Sequence, residues 1–131
     1  MARGRDQHHA RLQAVQQLGR NLARRSRSLC ELCGTRGVLR VIEVAPLPEH
    51  PNEDAAILVC ESCMSHMVAK KPDPTPLRFL EQTVWSEVIP IQLAAIQLLR
   101  ALAKQDVTWA IDCLDGLWLD DSIQAKLDQI K

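Results

Sequence analysis

At 131 residues, with 47% hydrophobic side chains and a formal net charge of zero, the chain suits one compact domain or a small metal module with a helical extension. It is no polycation, and its longest apolar stretch, Val88 to Leu102, is broken by Pro90, Gln92, Gln97 and Arg100, which argues against a membrane span. The zero conceals an asymmetry: residues 1–40 carry nine arginines against Asp6 and Glu31, a formal +7, and the remainder carries a formal −7. The basic, polar start lacks a secretory apolar segment, which points to the cytoplasm, where free thiols persist and bind metal.

Residues 1–27 form the expected basic N-terminal helix, read from about Asp6 to Arg27, because Leu12, Val15, Leu18 and Leu22 share a face at three- and four-residue steps. Gly19 weakens that helix by roughly 1 kcal/mol against alanine. Arg20, Arg24 and Arg27 form a separate stripe, a candidate anion- or nucleic-acid-binding surface. In the alternative reading they pair with Glu81, Glu87 or Asp121 and anchor the helix. His8 and His9 are expected to face solvent.

Residues 28–70 form the part that the rest is organised around. They contain Cys30-Glu31-Leu32-Cys33-Gly34 and then Cys60-Glu61-Ser62-Cys63. Each C-x-x-C puts two thiolates on one tight turn, at a separation suited to two vertices of a tetrahedron around Zn²⁺. Cys30, Cys33, Cys60 and Cys63 are therefore the candidate zinc ligands. Gly34 suits a knuckle turn with positive φ. A redox dithiol would need only one such pair, and disulfides would need an oxidising compartment. Between the pairs, residues 37–44 read as a strand, the segment around Pro46, Pro48 and Pro51 as a loop, and residues 57–59 as a second strand. A helix over residues 61–70 follows. Knuckle, hairpin and ligand-bearing helix, in that order, are the treble-clef way of building a zinc site; a four-cysteine zinc ribbon with a trailing helix is the close alternative. His50 and His66 are spare ligand candidates, since four thiolates already fill zinc's four positions.

The alternating prolines of residues 71–76 predict a stiff linker between a metal half and a helical half. Residues 77–131 read as a small helical bundle. Leu77, Leu80, Val84 and Val88 share one face, and Pro90 opens the next helix, whose broad apolar face holds Ile91, Ala94, Ala95, Leu98, Leu99 and Leu102. A shorter helix over residues 107–114 is closed by Gly116, and Asp121 with Gln124 reads as the capping pair of the last. Trp85, Trp109 and Trp118 are expected as core anchors, and Cys113 as a buried small hydrophobe. The expected class is a small α+β protein.

Two stretches together carry a resemblance: Ser28-Leu29-Cys30-Glu31-Leu32-Cys33-Gly34 with Ile57-Leu58-Val59-Cys60-Glu61-Ser62-Cys63, and Val84-Trp85-Ser86-Glu87-Val88 with Leu119-Asp120-Asp121. In that order they resemble the N-terminal part of the PhnA-like proteins, named for alkylphosphonate utilisation after their operon, over roughly Leu22 to Gln129. Family members often continue into a small β-barrel, which is not expected before Lys131. The resemblance implies a zinc ribbon on Cys30, Cys33, Cys60 and Cys63 and hands over no catalytic residue. The cysteine pattern is also similar to that of HNH nucleases. Those place a general-base histidine where this chain has Glu43-Val44-Ala45-Pro46, and a metal-binding histidine where it has Met64.

The expected function is a non-catalytic structural-zinc module acting through contacts with a protein or, weakly, with nucleic acid, with self-association open. The alternatives are a hydrolase linked to phosphonate or phosphate metabolism, a degenerate HNH-like scaffold, and a redox or metal-handling protein using its thiols. A hydrolase would need three protein ligands and a water on its metal, against which a full set of four thiolates argues.

Overall fold

The computed structural model describes residues 2–130; Met1 and Lys131, the outer limits of the expected N-terminal helix and helical bundle, lie outside them. In chain order the elements are α1 (Ala2–Gln17), α2 (Gly19–Ser26), β1 (Leu39–Glu43), β2 (Ala56–Cys60), α3 (Glu61–Val68), α4 (Leu80–Thr83), α5 (Ile89–Ala103), α6 (Thr108–Asp115) and α7 (Asp121–Asp128). Single 3₁₀ turns occupy Glu53–Ala55 and Thr75–Leu77. This is a small α+β fold around one two-stranded antiparallel sheet, in which Leu39 faces Cys60 and Glu43 faces Ala56.

A two-stranded ribbon is marginal by itself in water. Here both of its faces are covered. Val41, Ala56 and Leu58 pack with Val15 and Leu22 of α1 and α2, whereas Ile57 and Val59 join the larger core on the opposite face. Leu22 is fully buried; burial of a leucine side chain contributes about 1.5–3 kcal/mol. The expected single N-terminal helix is broken at Leu18. A β-carbon on Gly19 would lie 3.5 Å from Val41 Cγ2, so the chain passes close over β1 at the break. Leu12, expected on the buried face, is 45% exposed. α2 closes with Arg27 in left-handed backbone (φ 58°), and the Ser28 N–H donates to Ala23 O at 2.8 Å, a Schellman-type closure.

α5 is the centre of the larger core. Its broad apolar face meets α4, α6 and α7 on one side and β2 on the other. The prolines of residues 71–76 do not hold two halves apart. Pro72 is buried, its carbonyl accepts from Gln105 Nε2 at 3.0 Å, and Cys30, Cys63, Leu77, Leu99 and Leu127 belong to one continuous cluster. Two further bonds cross the expected boundary: Thr83 Oγ1 donates to Leu32 O at 2.9 Å, and Gln97 Nε2 to Ala45 O at 3.2 Å.

Two expectations for the helical part are corrected, the capping pair of the last helix and the tryptophan anchors. The aspartate that caps α7 is Asp120, one residue earlier, accepting from the Ile123 N–H at 3.0 Å; Gln124 turns to Asp128 instead. Gly116 closes α6 as expected, at φ −89°. The tryptophans are not core anchors: Trp85 is 52% and Trp118 87% exposed, and Trp109 is half-buried beneath Arg78. Aliphatic side chains such as Leu77, Leu80, Ile96, Leu99 and Leu127 fill the interior and leave the indoles outside. Cys113 is half-buried, and burial pushes its thiol up. No helix among the described residues is long and apolar enough to cross a membrane.

Candidate metal centre

The first cysteine pair sits on a knuckle held by its own backbone. Cys30 N donates to Thr35 O and Gly34 N to Cys30 O, each at 2.9 Å, while the Cys33 N–H points at Cys30 Sγ from 3.5 Å. Gly34 has φ 83°, and a β-carbon there would meet nothing within 4 Å, so backbone conformation alone selects glycine. The second pair straddles the junction of β2 and α3. Cys60 ends the strand and is the N-cap residue of the helix, in extended backbone; Cys63 lies in the first turn. Thiolates there meet the positive end of the helix dipole.

These two turns bring all four Sγ atoms within 4.8 Å of one another, and Cys33 Sγ to 3.7 Å from Cys60 Sγ. Zinc–sulfur bonds of about 2.3 Å in a tetrahedron put the sulfurs about 3.8 Å apart, so the arrangement fits a four-thiolate metal site. A disulfide needs about 2.05 Å, and all five cysteines of the chain are free thiols. Cys30 and Cys63 are buried, whereas Cys33 and Cys60 are partly open to solvent, with Thr35 Oγ1 3.2 Å from Cys33 Sγ. Among the described residues this is the one cluster of metal-ligating side chains. His50 is exposed, as is Asp54, and His66 lines a small pocket with Met67 and Leu98 away from the cluster.

The thiols themselves favour a cation. A hydrogen bond from Cys63 draws Cys30 down to about 4, helped by backbone N–H groups against the opposing effect of burial. Giving that bond pushes Cys63 up, and burial adds to it; burial is also what raises Cys60. Four sulfurs this close cannot all ionise without a positive charge between them. A bound divalent ion removes that obstacle.

A half-buried ion pair that the sequence did not bring forward fixes the knuckle to the sheet. The Glu31 carboxylate, on a side chain only 1% exposed, takes two bonds of 2.8 Å from Arg25 and one of 2.9 Å from Leu58 N. Glu31 N donates in turn to Leu58 O at 2.8 Å, and Arg25 also reaches Glu53 O and Ala56 O at 2.9 Å. The available signal was Glu31 itself, one of two acids among the first 40 residues and set inside the C-x-x-C. Arg11 acts similarly further out, bonding both Glu43 oxygens at 2.7 and 2.9 Å.

The predicted arginine stripe does not make the anchoring pairs of the alternative reading. Arg20 and Arg24 lie exposed on α2, and Arg27 leaves the helix in the left-handed closing position. None of the three makes an ion pair among the described residues, and Glu81 is taken by Arg78, so the anchoring role passes to Arg25 and Arg11.

Fold and site together define a small α+β protein with a four-cysteine cluster able to hold a metal ion. No protein-family model matches the chain, and no curated protein or solved structure matches it either.

Proposed function

We propose that this is a non-catalytic structural-zinc protein of the PhnA-like kind, with a treble-clef arrangement of knuckle, hairpin and helix, working by contact with a partner in the cytoplasm. The observation that carries the reading is the set of four sulfurs within 4.8 Å. Tetrahedral sulfur ligation selects zinc or iron, and a complete set of four leaves no position for a reacting water. Exposed Arg20, Arg24 and Arg27 supply a sequence-blind anion surface on the same protein.

Metal analysis and thiol titration of the purified protein test the zinc assignment. One zinc per chain with four unreactive thiols is the expected result; iron with visible absorption, or four freely titrating thiols in metal-free folded protein, overturns it. For the arginine surface, duplex DNA affinity should fall with salt at a log–log slope of about −3, given about −0.9 per phosphate neutralised. Unchanged affinity after replacing all three by glutamine removes that surface from the proposal.

A further inference from the structure

Beside α4 and α6 lies an open groove of about 430 Å³, lined by Arg78, Glu81, Trp85, Trp109, Asp112 and Cys113. One cation is already recognised there. The Arg78 guanidinium carbon sits 4.9 Å from the centre of the Trp109 ring, and the same guanidinium pairs with Glu81. An indole face and a carboxylate acting together are a standard way of holding a guanidinium or ammonium group. A second indole and a second carboxylate line the same groove. Trp85 is 52% exposed, and Asp112 is exposed with no ion pair among the described residues.

We infer that Trp85 and Asp112 receive an arginine or lysine side chain from a protein partner, beside the Arg78–Trp109 pair. Charge complementarity supports that occupant: the groove has two carboxylates against one guanidinium, and residues 41–131 carry a formal −7. Arg78 sets the limit of the site, because it occupies one of the two indoles and repels an incoming cation. The inference deepens the contact-module reading and rests on it for the existence of a partner, but none of the groove residues is one of the four cysteines.

The test is calorimetric titration of the zinc-loaded 131-residue chain with an acetylated, amidated peptide of three Gly-Arg repeats, and with its citrulline counterpart. Binding of the arginine peptide alone is expected. Trp85→Ala should weaken it at least about fivefold, and Asp112→Asn by about threefold. Arg78→Gln should tighten it by removing the internal competitor. Asp112 is exposed, so its variant reads the site without disturbing the fold, and melting curves of all three variants exclude unfolding as a cause. Equal binding of the citrulline peptide, no binding, indifference to Trp85→Ala and Asp112→Asn, or weaker binding by Arg78→Gln overturns the inference. So does concentration-dependent self-association abolished by Trp85→Ala, which would make the occupant a second copy. Metal content of the same samples reads the zinc assignment separately: a failed titration on protein holding one zinc overturns the groove and leaves the metal module standing.

Discussion

Arg25 shows how one side chain can be structural among neighbours that are not. Its guanidinium neutralises a Glu31 carboxylate that is almost wholly withdrawn from water, and it ties the start of β2 to α2. Arg25→Ala would leave the Glu31 carboxylate without its cation in a half-buried place, a loss of about 2 kcal/mol in urea unfolding, because removing the partner of a withdrawn charge costs more than the pair contributes. Arg24→Ala, one residue away and exposed, should change stability by less than about 0.5 kcal/mol. Equal effects of the two would refute the assignment. The four cysteines were legible in the sequence because each pair is local: two ligands on one turn have their separation set by the spacing. Arg25 was not, because helical periodicity groups Arg20, Arg24 and Arg27 and says nothing of which arginine faces a partner six residues further on.

At the scale of elements, hydrogen bonds to carboxylates close several segments. Asp120 caps α7, and Asp73 accepts from Thr75 N at 3.0 Å ahead of the 3₁₀ turn. Both carboxyls are held below their ordinary 3.8, first by the backbone N–H of Ile123 and of Thr75, then by the side chains of Ser122 and Thr75. A carboxyl whose pKa is lower folded than unfolded stabilises the fold fully above its unfolded pKa, and that share is lost as pH falls through the folded value. The stability difference between wild type and Asp120→Asn should therefore shrink from about pH 5 to about pH 3. A constant difference over that range would show the carboxylate is not the cap. Choosing between Asp120 and Asp121 lay beyond the sequence, since either aspartate satisfies the capping pattern and only the path of residues 116–120 decides. The shared face of Leu77, Leu80, Val84 and Val88 yields only the four residues of α4 as α-helix for a related reason: a shared apolar face fixes which side is buried, not that the backbone stays helical.

At the scale of the molecule, the cysteines and the helical core share one packed cluster. Buried Cys30 and Cys63 lie in the same cluster as Leu99 and Leu127, so metal removal should be felt beyond residues 28–70. Chelation at neutral pH is expected to lower the melting temperature of the whole chain in a single transition, since metal binding contributes on the order of 10 kcal/mol in small zinc modules. Replacing Cys60 by Ser should act in the same direction. Two separate transitions by helical circular dichroism, with the upper one unmoved by the chelator, would show that the halves melt independently. The proline run suggested such independence, because composition reports the stiffness of a segment and not what it docks against.

β2 has one more property. A strand covered on one side is protected from slipping by its own alternation, because a one-residue shift turns its apolar set toward water. Ala56-Ile57-Leu58-Val59 has no polar position, and both of its faces are already buried, so a shift would exchange one core for the other at little hydrophobic cost. What tells the right alignment from the wrong one lies at particular points along the strand: Cys60, which must finish beside Cys33, and Leu58, whose N–H and carbonyl are both spoken for by Glu31. The thiol cluster thus does for this strand what a polar stripe does for others, and a metal bound there would also proofread the alignment.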